Sequence, residues 1–189
     1  MNNVIAIVGR PNVGKSTFFN RLTSARTAIE EKVPGVTRDR LYGTTEWRNR
    51  EMVVIDTGGL TFGKDDQISS RVRMQVNLAV EEAGVIIFLL DGREGLTALD
   101  EEIAAMLRRS GKIVIPVVNK VDYFEQENIK YDFFTLGFED IVTISASHGK
   151  GTGDLLDRIH SLLPPEEDSE EVYKADVIKV AVIGRPNVG

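Results

Sequence analysis

The feature that most constrains this 189-residue chain is a short apolar run, Val4–Val8, that passes directly into Gly9-x-x-x-x-Gly14-Lys15-Ser16. An amphipathic stretch, Lys15–Thr23, follows at once. Strand, glycine turn and helix at this spacing commit the chain to a narrow set of α/β architectures. The two glycines let backbone N–H groups ring an anion, at a helix N-terminus whose dipole favours negative charge. Lys15 offers a point charge to the β- and γ-phosphates of a nucleotide, and the Ser16 hydroxyl offers a ligand to Mg2+. Gly9, Arg10, Pro11, Asn12, Val13, Gly14, Lys15, Ser16 and Thr17 form the expected phosphate-binding set. A chance glycine turn is the competing explanation, and the Lys-Ser pair between strand and helix argues against it.

The remaining pattern predicts how many elements surround that loop. Leu41–Trp47 and Met52–Ile55 flank a polar turn at Arg48–Asn49, as in an antiparallel hairpin. Helical stretches are expected over Ile68–Glu82, Ala98–Arg109, Asn128–Leu136 and Gly153–Leu163, and strands over Val85–Leu90, Ile113–Val118 and Ile141–Ile144. Apolar strands alternating with amphipathic helices predict an α/β fold: a mostly parallel six-stranded sheet with one antiparallel strand and helices on both faces. Met74 with Leu78, and Ile103 with Leu107, have core-facing spacing. A polar segment over residues 24–40 and a glycine-rich one over 57–64 read as loops.

Asn119-Lys120-Val121-Asp122 directly follows one late strand, and Ser145-Ala146-Ser147 follows the next. Open α/β sheets bind ligands at the carboxyl ends of their strands. A carboxylate at Asp122 can accept from guanine N1–H and the 2-amino group, whereas adenine would present it with a lone pair. A site built on such hydrogen bonds rejects the wrong partner by roughly four orders of magnitude. Asn119 can bind the base and brace the loop, the stem of Lys120 can lie along the ring, and the Ala146 N–H can reach guanine O6.

Composition narrows the context. Hydrophobic residues at 42% and charged residues at 28% describe a globular chain able to bury one ordinary core. The longest apolar run, Val85–Leu90, is too short to cross a bilayer, so no membrane contact is expected. The N-terminus lacks a basic secretory n-region, and the absence of cysteine fits a reducing, cytoplasmic setting. A net charge of −6 runs against direct nucleic-acid binding by this domain alone. His148 and His160 lack ligand-spaced partners, so no zinc is assigned. Arg71, Arg73, Arg108 and Arg109 read as solvated helix faces; Arg38 and Arg40 are better placed to touch a partner.

Gly9–Ser16, Thr37, Asp56-Thr57-Gly58-Gly59, Asn119–Asp122 and Ser145–Ser147 run in the order of the translation-factor-related GTPases. GRPNVGKSTFFNRL, PGVTRDR and DTGGL, with a second GRPNVG 175 residues later, resemble the Der (EngA) family of bacterial tandem-domain GTPases, related to Era and MnmE. The resemblance covers residues 4–163. It implies GTP hydrolysis to GDP, a Mg2+-dependent switch, and a role of the longer protein in assembling the large ribosomal subunit. It implies Mg2+ ligation by Ser16 and Thr37 and, through water, by Asp56, with the Gly59 N–H on the γ-phosphate. Thr27, Thr44 and Thr45 are rivals of Thr37. Lys15, Thr37, Gly59 and Asn12 are then the catalytic set. Asn12 resembles the phosphate-loop asparagine that binds K+ in Era- and MnmE-like proteins, though it could merely tolerate a left-handed turn. Leu60 departs from the glutamine that many GTPases use to orient water. That leaves open a binding module with negligible hydrolysis; an ATP-using kinase is disfavoured by Asn119–Asp122.

Ile5–Gly14 recurs as Val180–Gly189, with seven of ten residues identical, but without the lysine, serine or helix. The expected organisation is a first G domain over 1–163, an acidic linker over 164–176, and the first strand and truncated phosphate loop of a second G domain over 177–189. The second G domain of the same longer chain is therefore an expected partner, and the truncated copy is not expected to bind nucleotide.

Overall fold

A computed structural model of the chain describes residues 3–23, 41–59 and 68–164. Thr27, Thr37, Arg38, Arg40, Leu60, the acidic segment beyond 164 and the repeated motif lie outside the described residues. The elements in order are β1 Val4–Val8, α1 Lys15–Thr23, β2 Leu41–Trp47, β3 Arg50–Asp56, a 3-10 turn Thr57–Gly59, α2 Ile68–Glu82, β4 Val85–Asp91, α3 Ala98–Arg109, β5 Ile113–Asn119, a 3-10 segment Phe124–Leu136, β6 Val142–Thr143 and α4 Thr152–Leu162.

They form one six-stranded sheet in the order β2-β3-β1-β4-β5-β6. Only the β2–β3 pair is antiparallel. Alternation along the strands sorts the core into two layers. Ile5 and Ile7 of β1, with Val85, Ile87 and Leu89 of β4, pack against Phe18, Phe19 and Leu22 of α1 and Leu155 and Ile159 of α4. Ala6 and Val8, with Ile86, Phe88 and Leu90, face Val72, Val76 and Ala79 of α2 and Ile103 and Leu107 of α3. All seven residues of β4 are buried, as a strand covered on both faces requires.

The chain reverses direction across the sheet after β3, which lies on one side of β1, and resumes as β4 on the other. Crevices form at the carboxyl ends of strands beside such a switch point. The loops after β1, β3, β4 and β5 all leave from those ends. At the opposite end the hairpin turns on Arg48 and Asn49, whose φ of 50° and 63° match a two-residue primed turn. Asp157 of α4 secures it, accepting from Trp47 Nε1 at 2.6 Å and Arg48 Nη2 at 2.7 Å.

Three details depart from the sequence pattern. Met74 is 52% exposed, because the inward stripe of α2 is Val72, Val76 and Ala79, and Met74 lies about half a turn from Val72. The short helix expected at Asn128–Leu136 is a longer segment, Phe124–Leu136, wound as a 3-10 helix, in which the buried pair Phe133 and Leu136 stand one 3-10 turn apart. Strand β6 shortens to two residues, although Ile144 N–H still bonds to Val118 O at 2.9 Å and Val121 N–H to Ile144 O at 3.0 Å.

Candidate functional site

The loop between β1 and α1 owes its path to two glycines. A Cβ on Gly9 would stand 2.3 Å from the Leu89 carbonyl oxygen, because β4 runs alongside. Gly14 has a φ of +100°, and a Cβ there would stand 2.4 Å from Asn119 Nδ2. Between them Asn12 is left-handed, with a φ of 66° and an exposed side chain. Helix α1 starts at once, Phe18 N–H bonding to Gly14 O at 2.9 Å, so Ser16 and Thr17 stand exposed in its first turn.

Lys15 is buried, and its Nζ donates to Gly9 O at 2.7 Å and Arg10 O at 2.8 Å. Burial lowers its pKa to about 8, with Asp56 opposing and Arg10 adding to the shift. Ser16 Oγ donates to Asp56 Oδ2 at 2.9 Å, and Gly58 N–H to Asp56 Oδ1 at 2.8 Å. The end of β3 and the start of α1 therefore meet around one carboxylate. Thr57 spends its hydroxyl on Ile7 O at 2.6 Å, which ties the loop after β3 to β1. The rivals Thr44 and Thr45 pair with Val53 and Met52, whereas Leu41 is opposite Asp56, so both lie toward the hairpin end.

The Asn119–Asp122 loop abuts the phosphate loop. Asn119 is buried; its Nδ2 donates to Val13 O at 2.9 Å and its Oδ1 accepts from Ala146 N–H at 2.9 Å. The amide the sequence assigns to guanine O6 is thus bonded to Asn119 in this conformation. Lys120 Nζ donates to Asn12 O at 2.8 Å and pairs with buried Asp91. Asp122 accepts from Ser145 Oγ at 2.7 Å and pairs with Arg93, while His148 Nδ1 lies 3.2 Å from its Oδ1. These partners hold the Asp122 carboxyl at about 2, the Ser145 bond contributing most, then Arg93. Arg21, from the last turn of α1, donates to the carbonyls of Ala146 and, at 2.5 Å, Ser147.

The sequence reading did not single out the loop after β4. Arg10 is buried and turns away from the phosphate loop, donating to Glu94 Oε2 at 2.7 Å and Asp100 Oδ2 at 3.1 Å. Asp100, fully buried, also closes the capping box of α3 with Thr97. Thr97-x-x-Asp100, and the acidic and basic residues at the carboxyl end of the most apolar strand, were the available signals. His148, to which the sequence assigns no ligand role, is exposed but touches Asp122. Among the described residues, no group of three or more His, Cys, Asp or Glu side chains could hold a metal ion, and no helix is long and apolar enough to cross a membrane.

Sheet order, phosphate loop and the loops after β5 and β6 together define a P-loop GTPase domain. The similarities to known proteins narrow this further. Residues 4–120 match the family described as 50S ribosome-binding GTPase, and the chain belongs to that family. It is 55% identical over 186 residues to GTPase Der of Moorella thermoacetica and 55% identical over 187 residues to GTPase Der of Heliobacterium modesticaldum. In each case the match covers 98% of this chain and 42% of the relative, so the chain spans about two fifths of their length. An Aquifex aeolicus Era variant bound to GDP·AlF4− superposes with a TM-score of 0.68 at 33% identity, covering 87% of this chain and 57% of that one. The G domain of the Thermotoga maritima FeoB iron transporter shares the fold, with a TM-score of 0.61 at 23% identity over 84% of this chain and 97% of that one.

Proposed function

We propose that this domain binds GTP with its phosphates on the Gly9–Thr17 loop and its base against Asp122, and hydrolyses it to GDP as a nucleotide switch. The observation that carries the reading is Asn119, which joins the phosphate loop at Val13 to the base loop at Ala146 through one buried side chain. Lys15 neutralises the β- and γ-phosphates, exchanging two loop carbonyls for phosphate oxygens. Asp122 takes two hydrogen bonds from guanine, and Ser145 and Ser147 line its far side.

Ser16 and Asp56 fit Mg2+: two hard oxygen donors already adjacent, in a site that would leave other positions to water and phosphate. They would hold the ion together with Thr37, and the bound ion would supply charge neutralisation on the phosphates. Gly59 would place its N–H at the γ-phosphate, so that loss of that group frees the loops carrying Thr37 and Gly59. The Asn12 side chain, exposed on the loop, is available to K+, which would act where other GTPases use an arginine finger.

At 55% identity to GTPase Der, and within a family described as 50S ribosome-binding, the longer protein would act in large-subunit assembly, its second G domain being this domain's partner in the same chain. We place that activity in the cytoplasm.

Leu60 favours a second reading, in which GTP binding alone moves the loops and hydrolysis is negligible. Single-turnover phosphate release at saturating protein separates the two. The hydrolase reading expects GTP turnover, no turnover of ATP, and faster release in K+ than in Na+. No release of phosphate under these conditions would establish the binding module, and equal rates in the two salts would remove Asn12 as a cation ligand.

A further inference from the structure

Asp122 is the residue on which base selection turns, and two of its partners lie outside the motifs that define the site. Its carboxylate has about four lone-pair positions, two on each oxygen. Ser145 Oγ, itself buried, takes one on Oδ1 at 2.7 Å. Arg93 Nη2 takes one on Oδ2. His148 Nδ1 stands 3.2 Å from Oδ1, but is also 2.9 Å from Ser145 Oγ and 3.1 Å from Ser147 Oγ, so it has other partners if it leaves. With Ser145 and Arg93 retained, one position per oxygen is left. That is the number guanine needs for its N1–H and 2-amino donors.

The side chain of Arg93 is 69% exposed, yet its point of departure is fixed. Asp91, buried at the end of β4, accepts from the Arg93 N–H at 2.9 Å and the Glu94 N–H at 3.2 Å through Oδ1. Through Oδ2 it holds Lys120. Glu94 is anchored in turn by Arg10 at 2.7 Å. The backbone at Arg93 is therefore pinned on both sides by groups that also hold the phosphate loop and the Asn119–Asp122 loop.

We propose that Arg93 is a specificity-determining residue that orients the Asp122 carboxylate for two-point recognition of guanine. The inference rests on the guanine reading of the site. Arg93 acts through Asp122 and is a positioning residue; the low pKa of Asp122, set first by the Ser145 hydrogen bond and then by Arg93, is consistent with a carboxylate these two keep charged. One donor on Oδ2, with Ser145 on Oδ1, holds the carboxylate by both oxygens and so sets its tilt, and a lysine's mobile ammonium would hold Oδ2 less closely. Tilt matters to a ligand with two donors and much less to one with a single donor.

Equilibrium binding of GTP and ITP to the unmodified chain, R93A and R93K tests this, because hypoxanthine keeps N1–H but lacks the 2-amino group. The expected result is a fall in GTP affinity of about fivefold to tenfold in R93A, with ITP affinity falling by less than about twofold. The GTP/ITP ratio then contracts, and R93K restores only part of it. In a D122N background, adding R93A leaves XTP affinity unchanged, since the charge it orients is gone. An unchanged GTP/ITP ratio overturns the proposal, and so does tighter GTP binding by R93A, which would make Arg93 a competitor for the carboxylate. If D122N itself keeps its preference for GTP, the guanine reading fails instead.

Discussion

Replacing Asn119 with alanine removes the buried side chain that joins the phosphate loop at Val13 to the loop after β6 at Ala146, and its cost can be worked from the contacts. Two buried hydrogen bonds disappear, each worth about 1 kcal/mol net. The Ala146 N–H and the Val13 carbonyl lose their partner while both residues stay buried, and a stranded polar group costs about 1–3 kcal/mol. A water entering the vacated space would recover part of that. The expected loss is about 2–4 kcal/mol, a large fraction of a typical total of about 5–15. Urea unfolding without nucleotide, followed through Trp47, the single tryptophan, measures it. With a slope of about 1–3 kcal/mol/M the midpoint falls by roughly 1–2 M. N119D separates the two bonds, since it keeps the acceptor for Ala146 and sets a carboxylate against the Val13 carbonyl. An N119A midpoint within about 0.3 M of the unmodified chain, at equal slope, would refute the bracing role.

Gly9→Ala places a Cβ 2.3 Å from the Leu89 backbone oxygen, between two central strands that have no room to part. A loss of about 3 kcal/mol or more is expected, together with loss of nucleotide binding; a near-native melting temperature with intact binding would contradict the packing argument. Asp122, held at about 2 against an ordinary 3.8, binds fewer protons folded than unfolded. Its contribution to stability is therefore present above about pH 4 and lost as pH falls toward 2. The stability difference between the unmodified chain and D122N should shrink over that window in urea titrations, and a pH-independent difference would show that the carboxylate is not held as described.

The parts of the molecule visible in the sequence are those governed by local chemistry. Strand β4 announces itself as six consecutive apolar residues, the hairpin as a polar pair between β-branched runs, and the phosphate loop by glycines that no other residue could replace. What the sequence hid depends on phase and on distance along the chain. Met74 and Val72 differ by two positions, and only packing decides that Val72 is buried and Met74 is not, while Leu78 is buried as its spacing predicts. The segment at 124–136 has too little periodicity to distinguish a 3-10 from an α-helical winding. Arg10 meets Asp100 across 90 residues, and Arg93 meets Asp122 across 29, contacts that exist only because β1, β4 and β5 end at the same edge. Asp56 and Ser16, 40 residues apart, were named separately for one ion; that their oxygens lie 2.9 Å apart is a consequence of β1 and β3 being neighbours.

Nucleotide preference of D122N tests the central claim most directly. An amide at position 122 presents one donor and one acceptor in place of two acceptors, so it mismatches the 2-amino group of guanine and matches the 2-carbonyl of xanthine. Competition between GTP and XTP for the purified variant should show the preference reversed, with GTP affinity down by at least about a hundredfold. If D122N goes on choosing GTP over XTP, the base does not lie against Asp122.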